Sequence, residues 1–186
     1  MYGFNLAAEA QAPGPSPKAK AQTKELPPAP PAPAGPVRTE TITYDAWTVN
    51  CRDTPDGKSN KICSAMLSMV TEQQNQRITL GGWVIGRNNQ NALVSVLQTP
   101  QTDMGVLIPK GVELTVGKGK PRQISYVNCN PRRCEALMPV DDATAREWMA
   151  ASDASATVKF WKADGGEFAI NIQSIKGLDK AISAVR

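Results

Sequence analysis

The sequence contains no histidine among its 186 residues. Histidine is the side chain that most often acts as a general base near neutral pH, and it is also the commonest metal ligand. Catalysis by a Ser-His or Cys-His pair is therefore excluded. Chemistry based on lysine, carboxylate or tyrosine stays open, but no motif for it stands out. We predict that the protein is not an enzyme and holds neither a metal ion nor a cofactor.

The sequence is also poor in charge of one sign and in long apolar runs. Charged residues make up 20 % of the chain and the net charge is +4. This balance is too weak to indicate a nucleic-acid-binding protein, but it suits contact with anionic polymers or lipids. No stretch approaches the roughly 20 apolar residues that a membrane-spanning helix needs, so no transmembrane span is predicted.

Cysteine is scarce but falls in two local pairs, Cys51 with Cys63 and Cys129 with Cys134. An even number of cysteines that pair by proximity predicts two disulfides, and disulfides persist in the periplasm or outside the cell. Two other interpretations are four reduced thiols in a cytosolic core and a four-cysteine zinc site, although the close C-x-x-C pairs usual in zinc sites are absent.

Proline is concentrated near the start of the chain, where nine of the fifteen prolines lie between Pro13 and Pro36. Such a composition favours extended conformers and cannot build a core. We predict that residues 1–38 are a disordered Ala/Pro-rich segment, either a tether or an export remnant, and that residues 39–186 form the folded domain. The pattern Ala8-Glu9-Ala10 resembles a signal cleavage site, but the apolar region before it is too short for a complete signal. We therefore expect that an upstream signal was trimmed or that the true start lies upstream of Met1.

Short segments of alternating apolar and polar residues, separated by turn residues, follow from Glu40 onward. The first two are expected to form a hairpin that sets Cys51 opposite Cys63, with a bond that adds about 3 kcal/mol. Strands are predicted over 44–51, 61–71, 77–85, 92–98, 104–109, 111–116, 123–129, 134–139, 157–162 and 167–173.

Two short helices complete the predicted elements. Asp141 or Asp142 can cap one that runs through Met149, and a second starts near Gly177 and carries apolar residues on one face. Many short strands without βαβ alternation predict a mainly β fold, an antiparallel sandwich or barrel-like domain with two short helices, one of them at the C-terminus.

Six short motifs occur in order over about residues 44–185. They are Trp47-Thr48-Val49-Asn50-Cys51, Cys63 after a polar loop, Gly105-Val106-Leu107-Ile108-Pro109-Lys110-Gly111-Val112, Tyr126-Val127-Asn128-Cys129, Cys134-Glu135-Ala136, and Ile172-Gln173-Ser174-Ile175-Lys176-Gly177-Leu178 followed by Ala181. Together these motifs resemble the invasion-associated locus B family of bacterial envelope proteins. The resemblance implies a secreted or periplasmic β-sandwich-like protein with no established enzymatic activity, linked in some members to host-cell invasion.

The candidate binding residues are basic. Arg132 and Arg133 lie in the loop that the second cysteine pair clamps, and with Lys118, Lys120 and Arg122 they form a possible patch for anionic lipid, lipopolysaccharide or polysaccharide. The other interpretation is a solvated turn that keeps the protein soluble.

Three further features have simpler explanations than a functional site. The segment 117–120 has the look of a phosphate loop but lacks its spacing, and a turn is predicted. Trp83, Trp148 and Trp161 are expected to pack in the core or at its edge, although sugar stacking is the alternative. Asp141 and Asp142 are predicted to cap a helix rather than to act as an acid-base pair.

The leading functional hypothesis is a non-enzymatic protein of the periplasm or the outer surface that binds a protein, polymer or lipid of the envelope or of a host surface. One alternative is a periplasmic hydrolase or inhibitor domain with a carboxylate or lysine site. Another is a structural accessory subunit of an envelope complex.

Overall fold

A computed structural model describes residues 38–54, 61–73, 76–100 and 105–185 of the chain. All of these residues belong to one compact unit, 34–186. The predicted N-terminal segment lies outside the described residues except at Arg38, and so do residues 55–60 of the polar loop before Cys63.

The described residues form eleven strands, two α-helices and one 3-10 turn. In chain order they are β1 (Thr39–Tyr44), β2 (Trp47–Asp53), β3 (Lys61–Gln73), β4 (Gln76–Arg87), β5 (Leu93–Pro100), the 3-10 turn Ile108–Lys110, β6 (Val112–Val116), β7 (Arg122–Ile124), β8 (Tyr126–Asn130), β9 (Arg133–Pro139), α1 (Asp142–Ala150), β10 (Ala156–Trp161), β11 (Glu167–Ile172) and α2 (Leu178–Val185).

The strands form two open antiparallel sheets. The larger has seven strands in the order β1-β2-β3-β4-β5-β9-β8, and the smaller has four in the order β11-β10-β6-β7. One hydrophobic core contains residues of both sheets and of both helices. The mainly β, antiparallel, sandwich-like fold with two helices is therefore confirmed, and neither sheet closes into a barrel among the described strands.

Alternation along the strands decides which face each sheet buries. In β2, Trp47, Val49 and Cys51 are buried while Thr48 and Asn50 point to the other face. The same period of two places Ala65, Leu67 and Met69 of β3 in the core. β2 and β3 pair as predicted, with Cys51 directly opposite Cys63.

The centre of the core is a stack of three tryptophans that are fully buried. Trp83 meets Trp47 and Trp148 edge to face, with ring centroids 5.2 and 5.3 Å apart, a favoured arrangement for aromatic pairs. The indole of Trp83 donates to Ser95 Oγ at 2.9 Å, and that of Trp47 donates to the carbonyl of Ile175 at 3.2 Å. The predicted core positions of Trp83 and Trp148 are confirmed.

Both predicted helices are present. Asp141 caps α1, because its Oδ1 accepts the backbone N–H of Thr144 at 2.7 Å. α2 packs on β2, β3 and β4. Its buried face is formed by the predicted residues Leu178, Ala181, Ile182 and Val185.

The sequence reasoning missed β1. This strand pairs with β2 along its whole length, whereas the first strand was predicted to begin at Tyr44. β1 is an edge strand with mostly exposed side chains, so it has little apolar alternation to detect. The turn after it has a positive φ at Asp45, 50°, and no Gly or Pro marks it.

The strand predicted over 111–116 is present as β6, whereas the described part of the segment predicted over 104–109 forms no strand. Val106 makes only a single bridge, to Lys162, and the 3-10 turn follows with Pro109 at its start. β6 pairs instead with β10 and β7. Gly111 ends the turn at a φ of 63°, where a Cβ would lie 2.3 Å from the carbonyl oxygen of Ile124. Met104 lies outside the described residues.

The single strand predicted over 123–129 is two strands in different sheets. β7 pairs with β6 in the smaller sheet, and β8 pairs with β9 in the larger sheet. Ser125 alone separates them. The chain therefore crosses between the layers at this residue, which an uninterrupted β pattern does not reveal.

Candidate functional site

Both predicted disulfides are present, and each joins directly opposite residues of one hairpin. Cys51 bonds Cys63 between β2 and β3, and Cys129 bonds Cys134 between β8 and β9. The described residues contain no free cysteine. Neither the reduced-thiol nor the zinc interpretation fits this arrangement.

The second disulfide clamps a short turn that presents two arginines. Asn130 Oδ1 accepts the backbone N–H groups of Arg132 and Arg133 at 2.9 and 3.1 Å, an Asx-type turn. Arg132 is exposed, and the Nε of Arg133 lies 3.1 Å from Glu135 Oε1. The turn borders an open hollow of about 410 Å³. The backbone of the turn is therefore held by the hydrogen bonds to Asn130 and by the disulfide between the two strands.

The other three residues of the predicted patch lie before that turn in the chain. Lys118 and Lys120 are exposed in the turn between β6 and β7. Arg122 is on β7, where its guanidinium pairs with Glu147 of α1 at 2.7 Å, and its Nε is buried without a hydrogen-bond partner among the described residues. Residues 123–129 separate these three residues from the arginine turn along the chain.

The glycine-lysine segment 117–120, the acidic pair at Asp141 and the tryptophan at 161 were predicted to have structural roles. The segment 117–120 forms a turn, with Gly117 at a φ of 55°. Hydrogen bonds from Thr144 hold the pKa of Asp141 below its usual range, as expected for a helix cap. Trp161 is only partly buried, and the ammonium of Lys110 lies 5.0 Å from its ring centroid.

The sequence reasoning did not find the most spacious hollow described. It measures about 820 Å³ and lies where β3 begins, between the end of β2, the β4–β5 turn and the end of α2. Its lining includes Arg52, Lys61 and Arg87, and the guanidinium of Arg87 donates to the backbone carbonyls of Val185 and Asn91. These residues are far apart in sequence, so only the strand register could have brought them together.

Among the described residues, no group of three or more Cys, Asp or Glu side chains is placed to hold a metal ion. No described helix has both the length and the apolar character needed to cross a membrane.

The fold and the two disulfides define the class of protein. It is an antiparallel two-sheet β protein with a disulfide across each of two hairpins. The family model of the invasion associated locus B protein matches residues 47–186. The chain belongs to this family. No curated protein matches the chain.

One solved structure that matches is the crystal structure of invasion associated protein B from Bartonella henselae. It is 22 % identical in sequence, the match covers 78 % of this chain and 94 % of that chain, and the TM-score is 0.61. At this identity the likeness establishes the fold alone.

Proposed function

We propose that this protein works outside the cytoplasm, in the periplasm or at the cell surface, as a non-enzymatic protein that binds a partner. The observation that carries the proposal is the pair of cross-strand disulfides, because such bonds persist in oxidising compartments and are rare in the cytosol. Membership of the invasion associated locus B family supports the same location, since the family resemblance implies a secreted or periplasmic protein.

The folded domain of residues 39–186 carries the binding function, and residues 1–38 serve as its tether. The contact surface is the arginine turn, together with Lys118, Lys120 and Arg122. A turn held by a disulfide and by an Asx-type hydrogen bond loses little conformational entropy when it binds. Exposed guanidinium groups pair well with phosphate and carboxylate groups. The partner is an anionic envelope or host-surface polymer, lipid or protein.

The location is tested by thiol titration of the denatured, unreduced protein taken from its native cells. We expect no reactive thiol, because all four cysteines are bonded. Four reactive thiols would contradict an oxidising compartment. Fractionation of the same cells shows whether the protein leaves with the periplasmic or the secreted fraction.

The contact surface is tested with the double variant Arg132→Ser/Arg133→Ser. At low salt, this variant is expected to be retained on anionic envelope extracts more weakly than the wild type. At high salt, where surface charges are screened, neither the variant nor the wild type is expected to be retained. The matched control is Arg146→Ser/Lys180→Ser, which removes two exposed cations from the helices. Equal retention of the two double variants would rule out the arginine turn.

A further inference from the structure

Four apolar side chains form a row across the side of the larger sheet that faces away from the core. In chain order they are Met66, Val84, Val96 and Leu137. Each is the direct cross-strand neighbour of the next, along β3, β4, β5 and β9. None of the four belongs to the hydrophobic core, and the first and last are each 37 % exposed. We call this row the apolar strip.

The residues beside the apolar strip on β4 keep the surface low. Gly82 and Gly86 share the side of β4 that carries Val84, and they have no side chain. The methyl group of Met66 lies 3.2 Å from the position that a Cβ on Gly82 would take, so this side chain lies over β4. Both helices and the smaller sheet contribute their buried residues to the core on the opposite side. A flat partner can therefore approach the strip closely.

The outward face of the smaller sheet is polar by contrast. The ammonium of Lys159 lies 3.4 Å from the carboxylates of both Glu113 and Glu167. The hydroxyl of Thr157 donates to Asn171 Oδ1 at 3.2 Å. Such side chains are usual where one face of an antiparallel sheet meets water. The apolar strip departs from that pattern, and a continuous exposed apolar patch is typical of a contact surface.

The polar groups that border the strip are paired with one another. The amide of Gln98 donates to Glu135 Oε1 at 3.2 Å, and the Nε of Arg133 lies 3.1 Å from the same oxygen. The carboxylate and the guanidinium cancel in charge, so this border does not favour a partner of either sign. A second copy of the chain brings the same neutral border and meets no like-charge repulsion there.

We propose that two copies of this protein dimerise through the outward face of the larger sheet. Homodimers usually have a twofold axis and use the same patch on both subunits. An axis parallel to the strands, through the middle of the strip, sets Met66 against Leu137 of the second copy. The same axis sets Val84 against Val96 of the second copy. The inference goes beyond the proposed function, because no residue of the strip belongs to the arginine turn.

The polar border favours this axis over the other one that superimposes the strip on itself. An axis along the strip would set Gln98 against Val94 and Glu135 against Pro139, since these residues share β5 and β9 on either side of the strip. A carboxylate buried against a proline ring loses its hydration without a new partner. The axis parallel to the strands sets Glu135 against the hydroxyl of Ser68 instead, because Ser68 borders the strip on β3.

The face is large enough for a weak dimer. Five neighbouring strands spaced about 4.8 Å apart, each contributing six residues that rise about 3.4 Å, give a face of about 24 by 20 Å. Two such faces bury about 1,000 Å² together, which is near the lower limit for a specific interface. We therefore expect a dissociation constant in the micromolar range, of order 10 μM.

The test is sedimentation velocity of the full, disulfide-bonded chain from about 1 to about 200 μM. The wild type is expected to pass from monomer to dimer over this range. Met66→Lys and Leu137→Glu are each expected to weaken the dimer about tenfold or more, because each buries a charge against an apolar side chain. The matched control is Ile108→Lys, which charges an apolar residue that is 52 % exposed in the 3-10 turn and is expected to dimerise like the wild type.

Mixing the two charged variants tests which residues face each other. In a mixed dimer the new lysine meets the new glutamate at one contact, and the other contact keeps Met66 against Leu137. An equimolar mixture is therefore expected to recover a dimer about as stable as that of the wild type. The axis along the strip would pair Met66 with Met66, and it predicts no such recovery.

Three results would overturn the inference. They are a wild type that stays monomeric up to about 200 μM, a dimer that both charged variants retain, and a mixture no more dimeric than either variant alone. A monomeric wild type that binds phosphatidylcholine vesicles more strongly than Leu137→Glu does would assign the face to lipid, which also overturns it. Val96→Thr, which keeps the shape of the side chain, is expected to weaken the dimer about threefold and replaces a charged variant that does not fold. Envelope retention of the arginine-turn variant measures another surface, so the proposed function can fail while the dimer is confirmed.

Discussion

The middle ring of the three buried tryptophans offers a test of what stabilises the core between the larger sheet and α1. Trp83 and Ser95 are both fully buried, and the indole N–H of Trp83 donates to the Ser95 hydroxyl. Trp83→Phe leaves that hydroxyl buried without its donor, which costs about 1–3 kcal/mol. The smaller ring also leaves a cavity and loosens two edge-to-face contacts, which adds about 1–2 kcal/mol.

We therefore expect Trp83→Phe to lower the free energy of unfolding by about 3 kcal/mol. For a domain of this size, that corresponds to a fall in Tm of about 6–12 °C. Urea denaturation followed by far-UV circular dichroism measures the first quantity, and a thermal scan measures the second. The three-tryptophan signal in near-UV circular dichroism is expected to weaken at the same time.

The double variant separates the hydrogen bond from the packing. Ser95→Ala alone is expected to destabilise the protein, because Trp83 then loses its acceptor. In the Trp83→Phe background the same change is expected to restore about 1 kcal/mol, since no polar group is left unpaired. A loss below about 1 kcal/mol in Trp83→Phe, or no rescue by Ser95→Ala, would refute this account.

Three further predictions concern the two disulfides, the glycine at 177 and the helix cap at Asp141. Replacing both cysteines of one disulfide with Ala is expected to lower the free energy of unfolding by about 3 kcal/mol for the β2–β3 disulfide and by about 2 kcal/mol for the β8–β9 disulfide. The difference arises because the bonded cysteines are 12 and 5 residues apart. Urea denaturation that gives the reverse order would contradict this argument from loop length. Gly177→Ala is expected to lower the free energy of unfolding by about 2 kcal/mol or more, because φ is 88° and a Cβ would lie 2.2 Å from the carbonyl oxygen of Tyr44. The control is Gly165→Ala, which has a similar φ of 87° but open space around the new Cβ, and it is expected to lower Tm less. Hydrogen bonds from Thr144 lower the pKa of Asp141 in the folded state. The stabilisation that the ionised carboxylate gives the protein is therefore present above the unfolded pKa of about 4 and is lost as pH falls through the lower folded pKa. Asp141→Ala is expected to have a lower Tm than the wild type at pH 7 and the same Tm in strong acid, and a Tm difference independent of pH would contradict this.

The strands that carry regular apolar alternation were predictable from the sequence. In β2 and β3 a buried residue at every second position gave the pairing, and the cysteines gave its register. The helix that Asp141 caps and the apolar face of α2 were predictable for the same reason, since local spacing alone determines which side is buried.

The missed features depend on pairing that is not local. β1 is recognised by its partner rather than by its own pattern, and Val106 has an apolar neighbourhood typical of a strand yet finds only one bridge. The hollow where β3 begins was missed for a related reason, because its lining residues come from four separate elements and only strand pairing and the packing of α2 bring them together.

The crossing between the sheets at Ser125 is only one residue long, and it couples the unfolding of one sheet to that of the other. Three strands of the smaller sheet, β6, β10 and β11, can detach from the larger one only if β7 is pulled from β6 or β8 from β9, because the chain has no slack between β7 and β8. Local opening of one layer is thereby converted into opening of the whole domain. Amide protons of both sheets are expected to exchange with solvent through one common event, with similar protection in each layer.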